Sequence, residues 1–193
     1  MKRFSWLLGG VLLGVAPSLA AADLAALIYN PGPLKPVDSV LKVRVGQPAP
    51  DFTLPAVDGK PVTLSRFRGR SNVVISFVPA AFTPVCSRQW PGYNLVLDLF
   101  AEHDAVLLGI STDNLPTLHA WRELMGGVQF PLLSDFWPHG RVASAYGVLR
   151  GDGTCERALV VVDKKGIIRY LDVHDINTRP PLEDLMRVLE KLD

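Results

Sequence analysis

The residue best placed to do chemistry is Cys86, one of only two cysteines in the 193-residue chain. It follows an apolar run, Val73 to Val78, and the segment Pro79-Ala80-Ala81-Phe82-Thr83-Pro84-Val85, and it opens a stretch that reads as a helix. A side chain at the start of a helix meets free backbone N–H groups and the positive end of the helix dipole. Both favour a thiolate, which is the nucleophilic form of sulfur. Pro84 has no N–H to leave unpaired and suits a first-turn position. Thr83 offers a hydroxyl that can cap the turn or hydrogen-bond an incoming oxygen. From these residues alone, a buried structural cysteine is an equal alternative.

The wider spacing separates the two. Pro79, Thr83 and Cys86 form P-x3-T-x2-C. This pattern resembles the signature of the peroxiredoxins, the alkyl hydroperoxide reductase and thiol-specific antioxidant family. Further blocks are similar in the same order: Gly46 to Phe52, Phe130 to Asp135 with Ala145 to Val148, and Arg157 followed by Ala158 to Ile168. Ser134 to Gly140 (SDFWPHG) most resembles the alkyl hydroperoxide reductase E type, and the likeness spans about residues 43–193. It implies a thioredoxin-like fold and a thiol-dependent peroxidase that reduces hydrogen peroxide or organic hydroperoxides. Cys86 would become a sulfenic acid while water or an alcohol leaves. Thr83 would orient the peroxide, Pro79 would shield the sulfur from water, and Arg157 would stabilise charge as the O–O bond breaks. A thiol reductant such as a thioredoxin-like protein, and assembly as a homodimer, follow from the same likeness. Two departures stand out. Gln89 takes a position where the family often has Glu, so it can hold an arginine but adds no charge. Pro91 falls inside the helix after Cys86 and removes a backbone hydrogen bond. In this family that helix unwinds locally, and Pro91 is expected to make unwinding easier.

Cys155 lies two residues before Arg157. In extended backbone both side chains would share one face. Cys155 is therefore a candidate resolving cysteine, against the alternatives of an inert thiol or a bridge between subunits.

The elements that must position these residues follow from apolar periodicity. Strands are expected at Val73–Val78, Ala105–Ile110, Phe130–Leu133, Ala158–Val162 and Ile167–Val173, the last two joined by the turn Asp163-Lys164-Lys165-Gly166. Helices are expected from Cys86 to about Glu102, over Leu115–Met125 with Asp113 or Asn114 as cap, over Gly140–Tyr146 and over Pro181–Leu192. Trp90 and Trp121 are expected in the core. The order gives an α/β fold with a mixed central sheet flanked by helices.

Lys2 and Arg3, the apolar stretch from Phe4 to Val15, Pro17 and Ser18-Leu19-Ala20 read as an export signal over residues 1–20. The expected location is periplasmic or otherwise extracytoplasmic. Residues 21–42 read as an N-terminal arm or linker, broken by Asn30-Pro31-Gly32-Pro33 and Lys35-Pro36. Residues 43–193 form the expected thioredoxin-like domain.

Other classes fit less well. The net charge of +1 gives no pull toward nucleic acid. An exported thioredoxin-like thiol–disulfide oxidoreductase wants C-x-x-C, and Gln89 stands at the second position. A metal chaperone on the same fold wants a close cysteine pair and a histidine. His103, His119, His139 and His174 have no metal-ligand spacing, so neither metal nor cofactor is expected. His139 and Trp137 are candidates for the pocket mouth or for packing.

Overall fold

The computed structural model describes residues 24–192. The expected export signal lies outside them. A short antiparallel pair, β1 (Thr53–Leu54) and β2 (Val62–Thr63), leads into β3 (Asn72–Phe77), in which every residue is buried. After it come α1 (Cys86–Asn94), α2 (Leu97–Glu102), β4 (Ala105–Ser111) and α3 (Leu115–Leu124). The chain continues through β5 (Leu132–Ser134), α4 (Arg141–Tyr146), β6 (Arg157–Val162), β7 (Ile168–His174) and α5 (Leu182–Leu189).

The sheet has the strand order β5-β4-β3-β6-β7. β3, β4 and β5 run parallel, whereas β6 and β7 are antiparallel to their neighbours, so the sheet is mixed. Alternation along the strands divides the core into two layers. Val73, Ile75, Phe77, Ala158, Val160 and Val162 face one layer, with α4 residues Val142, Ala143 and Tyr146. Val74, Leu159 and Val161 face the other, with Trp90 of α1, Phe100 of α2, Leu118 and Trp121 of α3, and Leu185 and Leu189 of α5.

Local chemistry explains the element ends. Asn114 caps α3, its Oδ1 accepting the Thr117 N–H at 3.0 Å. The β6–β7 turn closes on Asp163 Oδ1, which accepts from Lys165 and Ile167, and Gly166 takes the positive φ of 81° that the turn requires. Elsewhere the structure departs from periodicity. The helix expected from Cys86 to Glu102 is two helices, interrupted at Val96 with φ −125° and ψ 25°. Gly92 and Asn94 are weak helix formers, and the Asn94 side chain is drawn off to accept the Gln129 N–H at 2.7 Å. β5 starts at Leu132 because Pro131 has no N–H for the ladder. Pro48 and Pro50 likewise keep the Gly46–Phe52 block from forming a strand, and only an isolated bridge joins Pro48 to Ile167.

Candidate active site

The site grows from the end of β3. Buried β-branched residues hold that strand in the sheet centre, between β4 and β6. The chain then turns away through residues 78–85, and side chains fix this loop. Asp113 Oδ2 accepts the Ala81 N–H at 2.8 Å and the Ser111 hydroxyl at 2.9 Å. Thr83 Oγ1 donates to the Ala80 carbonyl at 2.9 Å. Thr83 thus does not cap α1 with its side chain. Its carbonyl instead starts the helical turn by accepting the Ser87 N–H at 3.0 Å. Burial pushes the Asp113 carboxyl above the usual carboxylate range.

Cys86 is the first residue of α1 and is fully buried. Two tryptophans pin the helix beneath it. Trp90 Nε1 donates to Ser76 Oγ at 3.1 Å, Trp121 Nε1 donates to Ser87 Oγ at 3.0 Å, and the two rings lie 4.9 Å apart. Both are fully buried core residues, as the sequence predicts.

Arg157, the first residue of β6, reaches the sulfur from the end of that interior strand. Its Nη2 donates to Cys86 Sγ at 3.4 Å. The guanidinium is aimed by three further bonds: Nη1 to Gln89 Oε1 at 2.5 Å, and Nε and Nη2 to the Ile176 carbonyl at 3.1 and 3.0 Å. Gln89 is held in turn, donating to Ser76 Oγ at 3.2 Å and to the Tyr93 hydroxyl at 3.4 Å. Burial pushes the Tyr93 hydroxyl up to about 12, so it stays neutral there. Arg157 is only 2 % exposed, yet its partners are an amide, a carbonyl and a sulfur, with no carboxylate bonded to it among the described residues. A buried cation with no carboxylate bonded to it is costly, and structural economy alone does not account for it. What the guanidinium meets in place of a carboxylate is the Cys86 sulfur.

A cavity of about 340 Å³ opens beside this cluster. Pro79, Thr83, Val85 and Arg157 form one side of it, and residues 30–34 form the other. Pro79, Thr83, Cys86 and Arg157 are therefore brought together, with Cys86 behind the lining rather than in it. Trp137 is 81 % exposed and lies outside this lining, and His139 instead bonds the Gly153 carbonyl at 2.7 Å.

Cys155 is placed elsewhere. It does not share a face with Arg157 as extended backbone would predict, because it precedes β6 and pairs with Leu149 in an isolated bridge. It belongs to the same buried core layer as Ala158 and Val160, opposite that of Cys86. Both thiols are free and fully buried. Burial pushes the Cys155 thiol well up, with nearby Asp135 and Asp113 adding to the effect.

Sequence reasoning missed three contributors. Asp113 reads as a helix cap, and its part in fixing the Cys86 loop depends on tertiary folding. The Ile176 carbonyl carries no side-chain signal. The wall formed by residues 30–34 comes from a segment that reads as a linker.

Comparison with known proteins agrees with this geometry. A model of the AhpC/TSA family matches residues 45–171. Alkyl hydroperoxide reductase E of Mycobacterium tuberculosis is 42% identical over 132 residues, covering 68% of this chain and 86% of that protein. Peroxiredoxin TSA1-B of Candida albicans is 36% identical over 156 residues, covering 76% and 78%. The crystal structure of reduced Plasmodium vivax 2-Cys peroxiredoxin superposes with a TM-score of 0.72 at 32% identity, covering 77% of this chain and 81% of that one.

Proposed function

The chain belongs to the AhpC/TSA family, the peroxiredoxins, and we propose that Cys86 is the thiol with which it reduces peroxides. It is a thiol-dependent peroxidase, an oxidoreductase on a thioredoxin fold. The single observation that carries the assignment to Cys86 is the bond from the buried Arg157 guanidinium to its sulfur.

In the proposed reaction the thiol first gives its proton to solvent. The thiolate then attacks one peroxide oxygen, so the S–O bond forms as the O–O bond breaks. Sulfur is oxidised by two electrons and the peroxide is reduced by two. The leaving oxygen takes up one proton and departs as water or an alcohol. Arg157 faces the negative charge that develops on the peroxide oxygens. Thr83 spends its proton on the Ala80 carbonyl, which leaves its oxygen able to accept the peroxide O–H. Pro79 and Val85 keep the approach apolar.

The sulfenic acid is then attacked by a thiol, releasing water and leaving a disulfide that a second thiol reduces. We assign this step to an external thiol protein of thioredoxin-like chemistry. The separate layers of Cys86 and Cys155 support that over an internal partner. Export is the reading of residues 1–20 and rests on their charge and apolar pattern. Pairing with a second copy is the reading for assembly, supported by the exposed Phe136 and Trp137.

Peroxide consumption with dithiothreitol tests the reading. The wild type and Cys155→Ser should consume peroxide, and Cys86→Ser should not. Equal rates for the wild type and Cys86→Ser would refute it.

A further inference from the structure

The arm before the domain is seated with more care than a linker needs. Tyr29 N–H donates to the Phe82 carbonyl, in the loop before Cys86, at 2.8 Å. Asn177 grips Leu34 from both sides: its Oδ1 accepts the Leu34 N–H at 2.8 Å and its Nδ2 donates to the Leu34 carbonyl at 2.9 Å. Arg150 and Glu156 form an ion pair at 2.6 Å, with side chains 4% and 0% exposed. Their spare atoms hold the arm, Arg150 Nη2 donating to the Lys35 carbonyl at 3.0 Å and Glu156 Oε1 accepting the Asp38 N–H at 2.6 Å. Further on, the arm passes so close to Gly147, at φ 74°, that a Cβ there would lie 2.3 Å from the Lys42 nitrogen. Only glycine fits that approach.

These fastenings press residues 30–34 against the cavity beside Cys86. They also reach the catalytic cation, because Ile176 donates its N–H to the Pro36 carbonyl at 3.2 Å while its own carbonyl holds Arg157. Both the arm and the Ile176-Asn177 segment lie outside the residues matched by the family model, 45–171. The cavity, at about 340 Å³, is large for hydrogen peroxide, and Pro31, Pro33 and Leu34 give its arm side an apolar surface.

Resting on the peroxidase reading above, we propose that residues 31–34 are a specificity-determining wall of the peroxide site, against which the organic group of a hydroperoxide packs. The buried Arg150–Glu156 pair and Asn177 are positioning residues that hold this wall in place.

The test is the rate of Cys86 oxidation by cumene hydroperoxide and by hydrogen peroxide in the full chain, compared with Leu34→Ala and Asn177→Ala, each checked for an unchanged circular dichroism spectrum. The ratio of the two rate constants, organic over hydrogen peroxide, should fall about tenfold in Leu34→Ala, the scale set by losing part of an apolar contact. It should fall in the same direction in Asn177→Ala. A ratio that moves less than about twofold in Leu34→Ala overturns the proposal while the peroxidase reading stands. No oxidation of Cys86 by either peroxide in the wild type overturns both.

Discussion

Cys86 and Cys155 are both fully buried, both unpaired, and both close to β6, yet their surroundings differ in kind. Cys86 has a guanidinium 3.4 Å from its sulfur and a cavity beyond it. Cys155 sits among Ala158, Val160 and other apolar groups, and its thiol is pushed up by burial and by nearby acids. The first places a cation against the sulfur, and the second opposes charge on it. Burial alone therefore does not separate the cysteine proposed to react from the one proposed not to. The separation comes from what replaces water around the sulfur.

The comparison breaks first at Arg157. Arg157→Ala should slow Cys86 oxidation by hydrogen peroxide about 10²–10³-fold, measured by stopped-flow fluorescence. Arg157→Lys should recover only part of that loss, because one ammonium cannot span Gln89, Ile176 and Cys86 together. If Arg157→Ala oxidises at the wild-type rate, the guanidinium is not what distinguishes Cys86.

Thr83→Val tests the other side of the sulfur. Removing the hydroxyl should cost about tenfold in the same rate constant, the scale of one hydrogen bond to a reacting oxygen.

A third prediction concerns Cys155 and reads stability instead of rate. Because burial raises its folded-state pKa, the folded protein keeps this proton at a pH where the unfolded chain, with an ordinary thiol near ~8.5, has lost it. Stability is thus fully present below about pH 8.5 and declines as pH rises above it, by at most about 1.4 kcal/mol per pH unit. Thermal melting between about pH 8 and 10 should show a steeper fall for the wild type than for Cys155→Ala. Parallel falls would mean that the Cys155 thiol does not resist ionisation.

The smallest effect is at Pro91. Pro91→Ala restores a hydrogen bond inside α1 and should slow amide exchange in that helix severalfold, equivalent to about 1 kcal/mol in local opening. Faster exchange in the variant would contradict a role for Pro91 in easing the opening of the helix around Cys86.

Much of this was legible in the sequence where local rules suffice. The buried runs of β3 and β4, the Asp163–Gly166 turn, the Asn114 cap and the helix start at Cys86 each depend on neighbours a few residues away. Arg157 was legible through its motif, though not its aim, which is set by Gln89 on α1 and by the Ile176 carbonyl. Cys155 was misplaced because alternation holds only inside a ladder, and β6 begins two residues later. The break after Asn94 depends on Gln129, a partner far along the chain. The arm was the least legible part. Its turn-rich composition reads as a linker, whereas its seat is made of backbone groups meeting Asn177, Glu156 and Gly147 from distant parts of the fold.

The most direct test of the central claim is to expose the reduced protein to one equivalent of hydrogen peroxide with dimedone present and map the adduct by mass spectrometry. The account predicts a sulfenic acid adduct on Cys86 and an unmodified Cys155. An adduct on Cys155, with Cys86 left as a free thiol, would contradict it.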